Sequence, residues 1–198
     1  AKNRVDIFDL EKTSVALLKA KQYMEQLGRE GKTVLVVGGK HEIIEAVRLF
    51  AESLNMPYVA SRWLGGTITN FSEIKRRIDR LDELRTQKES GELEKKYTKK
   101  ERLLIDREID RLEANFGGIF TMKSLPQVLL AVDSKQEVIA IREAKVKNIP
   151  VIGILNTDSD LSMVHVPVPG NDATKSSVTF FLNELAESYK KGKGVTAV

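Results

Sequence analysis

The chain has 198 residues, of which 41% are hydrophobic and 30% charged, and it contains no cysteine. This composition supports one well-cored domain with room for an appendage and argues against wholesale disorder, while the missing thiols exclude disulfides and thiolate metal sites. Lys and Arg exceed Asp and Glu by 32 to 28, a mild basicity that permits nucleic-acid binding without requiring it.

No apolar run approaches the roughly 20 residues that span a bilayer. The start carries no signal-peptide pattern, because Lys2, Arg4 and Asp6 interrupt it. A cytoplasmic location is therefore expected.

RVDIFDL alternates apolar and polar residues and predicts a short strand. Asp9 is placed to cap a helix whose apolar residues, from Leu10 to Leu27, recur at three- and four-residue spacing, with Gly28 and Gly31 stopping it. The continuous run TVLVVGG, ending at Gly39, predicts a strand buried on both faces. An amphipathic helix from Ile43 to Leu54 and a short strand at Pro57 to Ala60 complete a β-α-β unit.

The stretch from Ser61 to Phe71, SRWLGGTITNF, holds the only tryptophan, Trp63, beside Arg62 and just before Gly65 and Gly66. It offers a cation, an aromatic face, two permissive glycines and the neutral hydrogen-bonding groups of Thr67, Thr69 and Asn70. A buried indole over a tight turn accounts for the same residues structurally.

From Asn70 to Glu113 the pattern changes. Asn70 with Glu73 and Thr98 with Glu101 are capping-box signatures, and KESGE between them reads as a turn. Ile74, Ile78 and Leu81 on one arm and Ile105, Ile109, Leu112 and Phe116 on the other form a narrow coiled-coil seam. Residues 72–113 hold 13 basic and 12 acidic residues, so the arms mostly neutralise themselves. Lys75, Arg76, Arg77 and Arg80, and then Lys95, Lys96, Lys99, Lys100 and Arg102, are the local exceptions that could face phosphate.

Gly117 and Gly118 are expected to end the second arm as C′ glycines. The α/β rhythm then returns with a strand at Val128 to Asp133, a helix around Val138 to Val146 and a strand at Ile149 to Leu155. A short strand at Val164 to Pro169 and a final helix from about Thr174 to Lys190 follow. Strands alternating with helices imply a parallel sheet covered on both faces.

Enzymatic signatures are weak. Gly38-Gly39-Lys40 follows a buried strand but lacks phosphate-loop spacing, and no GxGxxG is present. Asp133 and Asp158 follow strand ends, where helix capping explains them as well as catalysis does. His41 and His165 have no partners that suggest a metal site. No catalytic residue, metal or cofactor is assigned, and no membrane or small-molecule partner. An α/β nucleotide- or phosphate-binding enzyme built on Lys40 or on Asp133 and Asp158 is the alternative reading, and a protein-docking scaffold is a third.

WLGGTITNF with the charged hairpin, TKKE at Thr98 to Glu101, and LEANFGGIFTMKSLP at Leu112 to Pro126 resemble the ribosomal protein S-two family of the small ribosomal subunit. The likeness continues through VDIFDLEKT, the run from Val132 to Asp158 and VPVPGNDATKS at Val166 to Ser176, and GND suggests the bacterial or organellar branch. Two departures are the family's His-, Phe- and Trp-rich leading segment, which does not precede Lys2-Asn3-Arg4, and NTDSDLSM in place of Asn-Cys-Asp-Pro wording.

The resemblance implies a non-enzymatic ribosomal constituent with a flavodoxin-like three-layer α/β domain and an inserted antiparallel coiled-coil hairpin. The α/β domain would comprise residues 1–71 and 114–191, the hairpin 72–113 and a flexible tail 192–198. Its implied partners are small-subunit ribosomal RNA and other small-subunit proteins, including the S-one protein docked for translation initiation. The expected RNA-binding residues are Lys12, Arg62, Trp63, Gly65, Gly66, Thr67, Thr69, Asn70, Arg76, Arg77, Lys95, Lys96, Lys99, Lys100, Asn171 and Lys175. Trp63 would either stack on an exposed base or support the turn from beneath.

Overall fold

The computed structural model describes residues 6–194. In chain order it contains α1 (Leu10–Arg29), β1 (Val34–Val37), α2 (Ile44–Leu54), β2 (Tyr58–Val59), α3 (Phe71–Glu89) and α4 (Glu92–Lys96). Then come α5 (Lys99–Phe116), β3 (Val128–Val132), α6 (Val138–Val146), β4 (Val151–Leu155), β5 (Val166–Pro169) and α7 (Lys175–Gly192).

The five strands form one all-parallel sheet in the order β2-β1-β3-β4-β5, with Val36 opposite Tyr58, Leu35 opposite Leu129 and Leu130 opposite Ile152. That is the flavodoxin-type doubly wound order, whose topological switch point lies between β1 and β3. β1, β3 and β4 are buried at every position, as their uninterrupted aliphatic runs require. Strand alternation divides these side chains between two cores. Val34, Val36, Leu130 and Ile152 pack with α1, α2 and α7, whereas Leu35, Val37, Leu129 and Val151 pack with α3, α5 and α6.

Asp9 caps α1, accepting the Lys12 N–H at 3.3 Å. Gly28 lies inside that helix and does not stop it: a Cβ there would come within 2.2 Å of the Tyr189 carbonyl oxygen. Gly192 on α7 answers it, its hypothetical Cβ meeting the Glu25 carbonyl at 2.0 Å, so the two glycines let α1 and α7 approach backbone to backbone. The chain breaks from α1 at Gly31, where φ is +62°. The strand expected in RVDIFDL is not formed over Asp6 to Asp9, where Ile7 is 81% exposed, because no sheet edge reaches this segment; Ala1 to Val5 lie outside the described residues. Of the expected tail, 195–198 likewise lie outside them.

Between β2 and β3 the chain runs out along α3 and returns along α5. Ile74, Ile78, Leu81, Leu84, Ile109, Leu112 and Phe116 join the sheet's second core. Leu81 is fully buried, and such burial contributes about 1.5–3 kcal/mol per large aliphatic side chain. Ion pairs Arg80–Glu108 (3.4 Å), Lys88–Asp106 (2.7 Å) and Arg85–Glu113 cross between the helices. Thr98 and Glu101 form the expected capping box. Asn70 does not cap α3 with its side chain, which instead accepts from the Ser72 hydroxyl at 3.2 Å.

The turn at KESGE is present, with Gly91 at φ +69°, but α4 follows it and buries Leu93. At the far end Gly117 keeps right-handed angles (φ −55°, ψ −41°) and the chain tightens into a 3₁₀ turn over Gly117–Ile119. The expected C′ role of the glycine pair is therefore corrected. Gly118 is small because Tyr58 lies against it, its carbonyl oxygen 2.4 Å from where a Cβ would stand.

Candidate functional site

The loop between β2 and α3 is wrapped around one carboxylate, that of Glu143 on α6. Oε1 accepts from the Trp63 indole Nε1–H at 3.1 Å and the Gly66 N–H at 2.8 Å. Oε2 accepts from the N–H groups of Ile68 (3.0 Å) and Thr69 (2.9 Å) and from the Thr69 hydroxyl (2.9 Å). Burial alone would raise this carboxyl's pKa, but the bonds from Thr69, Trp63, Gly66 and Ile68 outweigh it and hold the group below the usual carboxylate range. Successive backbone N–H groups curled around an anion make a nest, and here the anion is built into the protein.

This geometry redistributes the loop's expected roles. Trp63 is buried and its indole N–H meets Glu143, so it supports the turn. Thr67 is buried and its hydroxyl donates to the Leu64 carbonyl at 2.7 Å. Thr69 and Gly66 are engaged with Glu143. Gly66 adopts φ +94°, whereas a Cβ on Gly65 would meet open space. Arg62, Gly65 and Asn70 remain exposed.

The basic residues divide into separate places. Arg76 and Arg77 project from the first turns of α3; Arg76 pairs with Glu73 at 2.7 Å, and Arg77 has no ion pair among the described residues. Lys95, Lys96, Lys99 and Lys100 are exposed around the connection to α5, and among the described residues only Lys96 is paired, to Glu92. Lys12 lies on α1, 3.4 Å from Asp9, beside a groove of about 680 Å³ that includes Val15, Tyr23, Val166 and Pro167. Lys175 starts α7 and pairs with Glu45 at 2.5 Å. Asn171 spends its side-chain oxygen on the Ala173 and Thr174 N–H groups. Lys12 and Lys175 thus sit on helices of the opposite layer from the Glu143 loop, and the expected residues do not converge on one patch.

Glu143 escaped the sequence reading. Its signal was position: it shares the inward face of α6 with Ala140, Ile141 and Ala144, where a carboxylate requires partners.

At the switch point the groups a phosphate would need are already occupied. Lys40 Nζ lies 2.7 Å from Asp133 and 3.0 Å from Asp172, and the Gly39 N–H donates to Glu137 at 2.9 Å. Burial pushes Glu137 up to about 7, the nearby Asp133 charge adding to it, and burial raises Asp172 as well. Asp133 and Asp172 together already occupy the ammonium, so it is not available to a phosphoryl ligand. Asp133, at φ +69°, accepts from the Lys135 and Gln136 N–H groups and so organises the turn before α6. Asp158 caps no helix; it pairs with Lys135 at 2.9 Å. His165 accepts the Val151 N–H at 3.0 Å. Among the described residues no group of three His, Asp or Glu side chains could hold a metal.

Comparison with known proteins supplies the family. The family described as Ribosomal protein S2 matches residues 1–192. A small ribosomal subunit protein uS2 from Rhodopirellula baltica is 40% identical over 195 residues, covering 98% of this chain and 75% of the relative. Another, from Campylobacter concisus, is 41% identical over 189 residues, covering 96% and 72%. A third, from Nocardia farcinica, is 39% identical over 191 residues, covering 96% and 67%. With an occupied switch point, an internally satisfied loop and a match along nearly its whole length, this chain belongs to the ribosomal protein S2 family, whose members are structural components of the ribosome and not enzymes.

Proposed function

We propose that the protein is a structural constituent of the small ribosomal subunit that holds ribosomal RNA through Arg62, Gly65 and Asn70 and through the exposed lysines and arginines of α3 and α5. The family match over residues 1–192 carries this reading. The distribution of charge supports it. Arg62, Arg77, Lys95, Lys99 and Lys100 are exposed without ion pairs among the described residues, so their charges are free to meet phosphate. RNA supplies phosphates for those cations, and 2′-hydroxyls and base edges for Asn70 and the Gly65 backbone.

In the same reading α3 and α5 act as a coiled-coil hairpin, residues 72–113, inserted into an α/β body formed by 1–71 and 114–191. The ion pairs between the helices and their apolar stripe support that division. The resemblance to the family further supports a part in docking the S-one ribosomal protein.

Titration of the purified chain with small-subunit ribosomal RNA over a range of salt concentrations tests the RNA role. The expected result is an affinity that falls linearly on a log–log plot, since each neutralised phosphate releases counterions. An affinity independent of salt would contradict it. Replacing 72–113 by a short linker separates the two partners: S-one capture should fall while body-mediated RNA contacts persist.

A further inference from the structure

We propose that Glu143 is the positioning residue of the RNA-facing loop: its carboxylate holds the Trp63–Thr69 backbone in the one shape that presents Arg62, Gly65 and Asn70 outward and starts α3 in its observed direction. This rests on the RNA reading above. The five donors converge from four residues that are spread along seven positions of chain, so no other single group among the described residues fixes as much of the loop. Both carboxylate oxygens are used, one by Trp63 and Gly66 near the start of the turn and the other by Ile68 and Thr69 at the entry to α3. Losing the anion leaves five donors, on four buried or half-buried residues, facing one another. Such groups turn to water or to new partners, and the loop must change shape to let them. The residues on either side inherit that change. Arg62 precedes the first donor, and Asn70 follows the last and donates its own N–H to the Gly66 carbonyl at 2.8 Å.

The arrangement makes a specific chemical demand. In Glu143→Ala the missing atoms are those of an acetate ion, so free acetate can refill the nest and restore the loop. A residue that only added packing would show no such rescue.

The experiment measures the affinity of the full chain for small-subunit ribosomal RNA, and its salt slope, well below the melting temperature. Glu143→Ala should weaken binding roughly tenfold at 0.1 M salt and reduce the slope by about one, the signature of one displaced phosphate contact. Acetate replacing chloride at equal ionic strength should restore both. Unchanged affinity and slope in a folded variant would overturn the proposal, and so would a loss that acetate does not repair. If Glu143→Ala fails to fold, Glu143→Gln carries the test: it keeps one accepting oxygen, should lose slope and affinity in the same direction, and overturns the proposal if it matches the parent. Arg62→Ala and the pair Lys99→Ala with Lys100→Ala separate the two levels. If these leave binding intact, the RNA reading itself falls. If they weaken it while Glu143 variants do not, only the positioning role falls.

Discussion

The Trp63 indole N–H and the Glu143 carboxylate are 3.1 Å apart, on residues 80 positions apart in the chain. The only tryptophan therefore joins the loop before α3 to α6. Trp63→Phe keeps an aromatic six-membered ring but removes the donor and the rest of the indole, leaving Glu143 four other donors. It should lower stability by about 1–3 kcal/mol, one hydrogen bond plus the packing lost with the smaller ring, and leave RNA affinity near the parent value. Chemical denaturation beside an RNA titration checks both. A large affinity loss with little change in stability would return the indole to a base-stacking role.

Gly65 and Gly66 look alike in sequence and differ in the fold. Gly66 sits at φ +94°, so Gly66→Ala should cost on the order of 1–3 kcal/mol. Gly65→Ala meets open space and should change the melting temperature very little. Equal destabilisation by the two variants would mean that the turn is not held as described.

Much of the architecture was legible because it rests on local rules. The strands VLVV, VLLAV and VIGIL announced themselves as aliphatic runs, and Thr98 with Glu101 as a capping box. The misses have physical causes. Gly28 and Gly118 read as stops, but their smallness answers Tyr189 and Tyr58, neighbours distant in sequence. α4 is five residues long, too short to show a period. The loop's polar residues looked available to a ligand because nothing local names their true acceptor. Glu143 lies more than 70 positions away, and only its place on an apolar helix face hinted that it needed partners.

Glu137 gives a pH signature. Its carboxyl is about 7 in the folded state against an ordinary 4.5, so folding favours the protonated form. Below about pH 4.5 both states hold the proton and there is no penalty. As pH rises from there towards 7 the unfolded chain releases it first, and above 7 the full cost stands, on the order of 3 kcal/mol. Glu137→Gln removes the titration and keeps an acceptor for the Gly39 N–H. Its stability relative to the parent should therefore grow from pH 5 to pH 8. A difference that stays flat with pH would show that Glu137 ionises normally in the fold.

Lys99 and Lys100 lie in the exposed first turn of α5 without ion pairs among the described residues. Alanine at both should leave thermal melting within about 0.5 kcal/mol of the parent. It should also reduce the salt slope of RNA binding by up to about two. An unchanged slope would remove this end of the helical pair from the RNA interface.

The central claim is that this chain is built into the small subunit through its RNA. The most direct measurement assembles small subunits from components lacking their S2-family protein, adds this chain and follows it through sedimentation. The account predicts that the chain travels with the subunit at low salt and is released as salt rises, and that Arg62→Ala combined with Lys99→Ala and Lys100→Ala is released at lower salt than the parent. A parent chain that remains in the free fraction at every salt concentration, while melting as a folded protein, would contradict it.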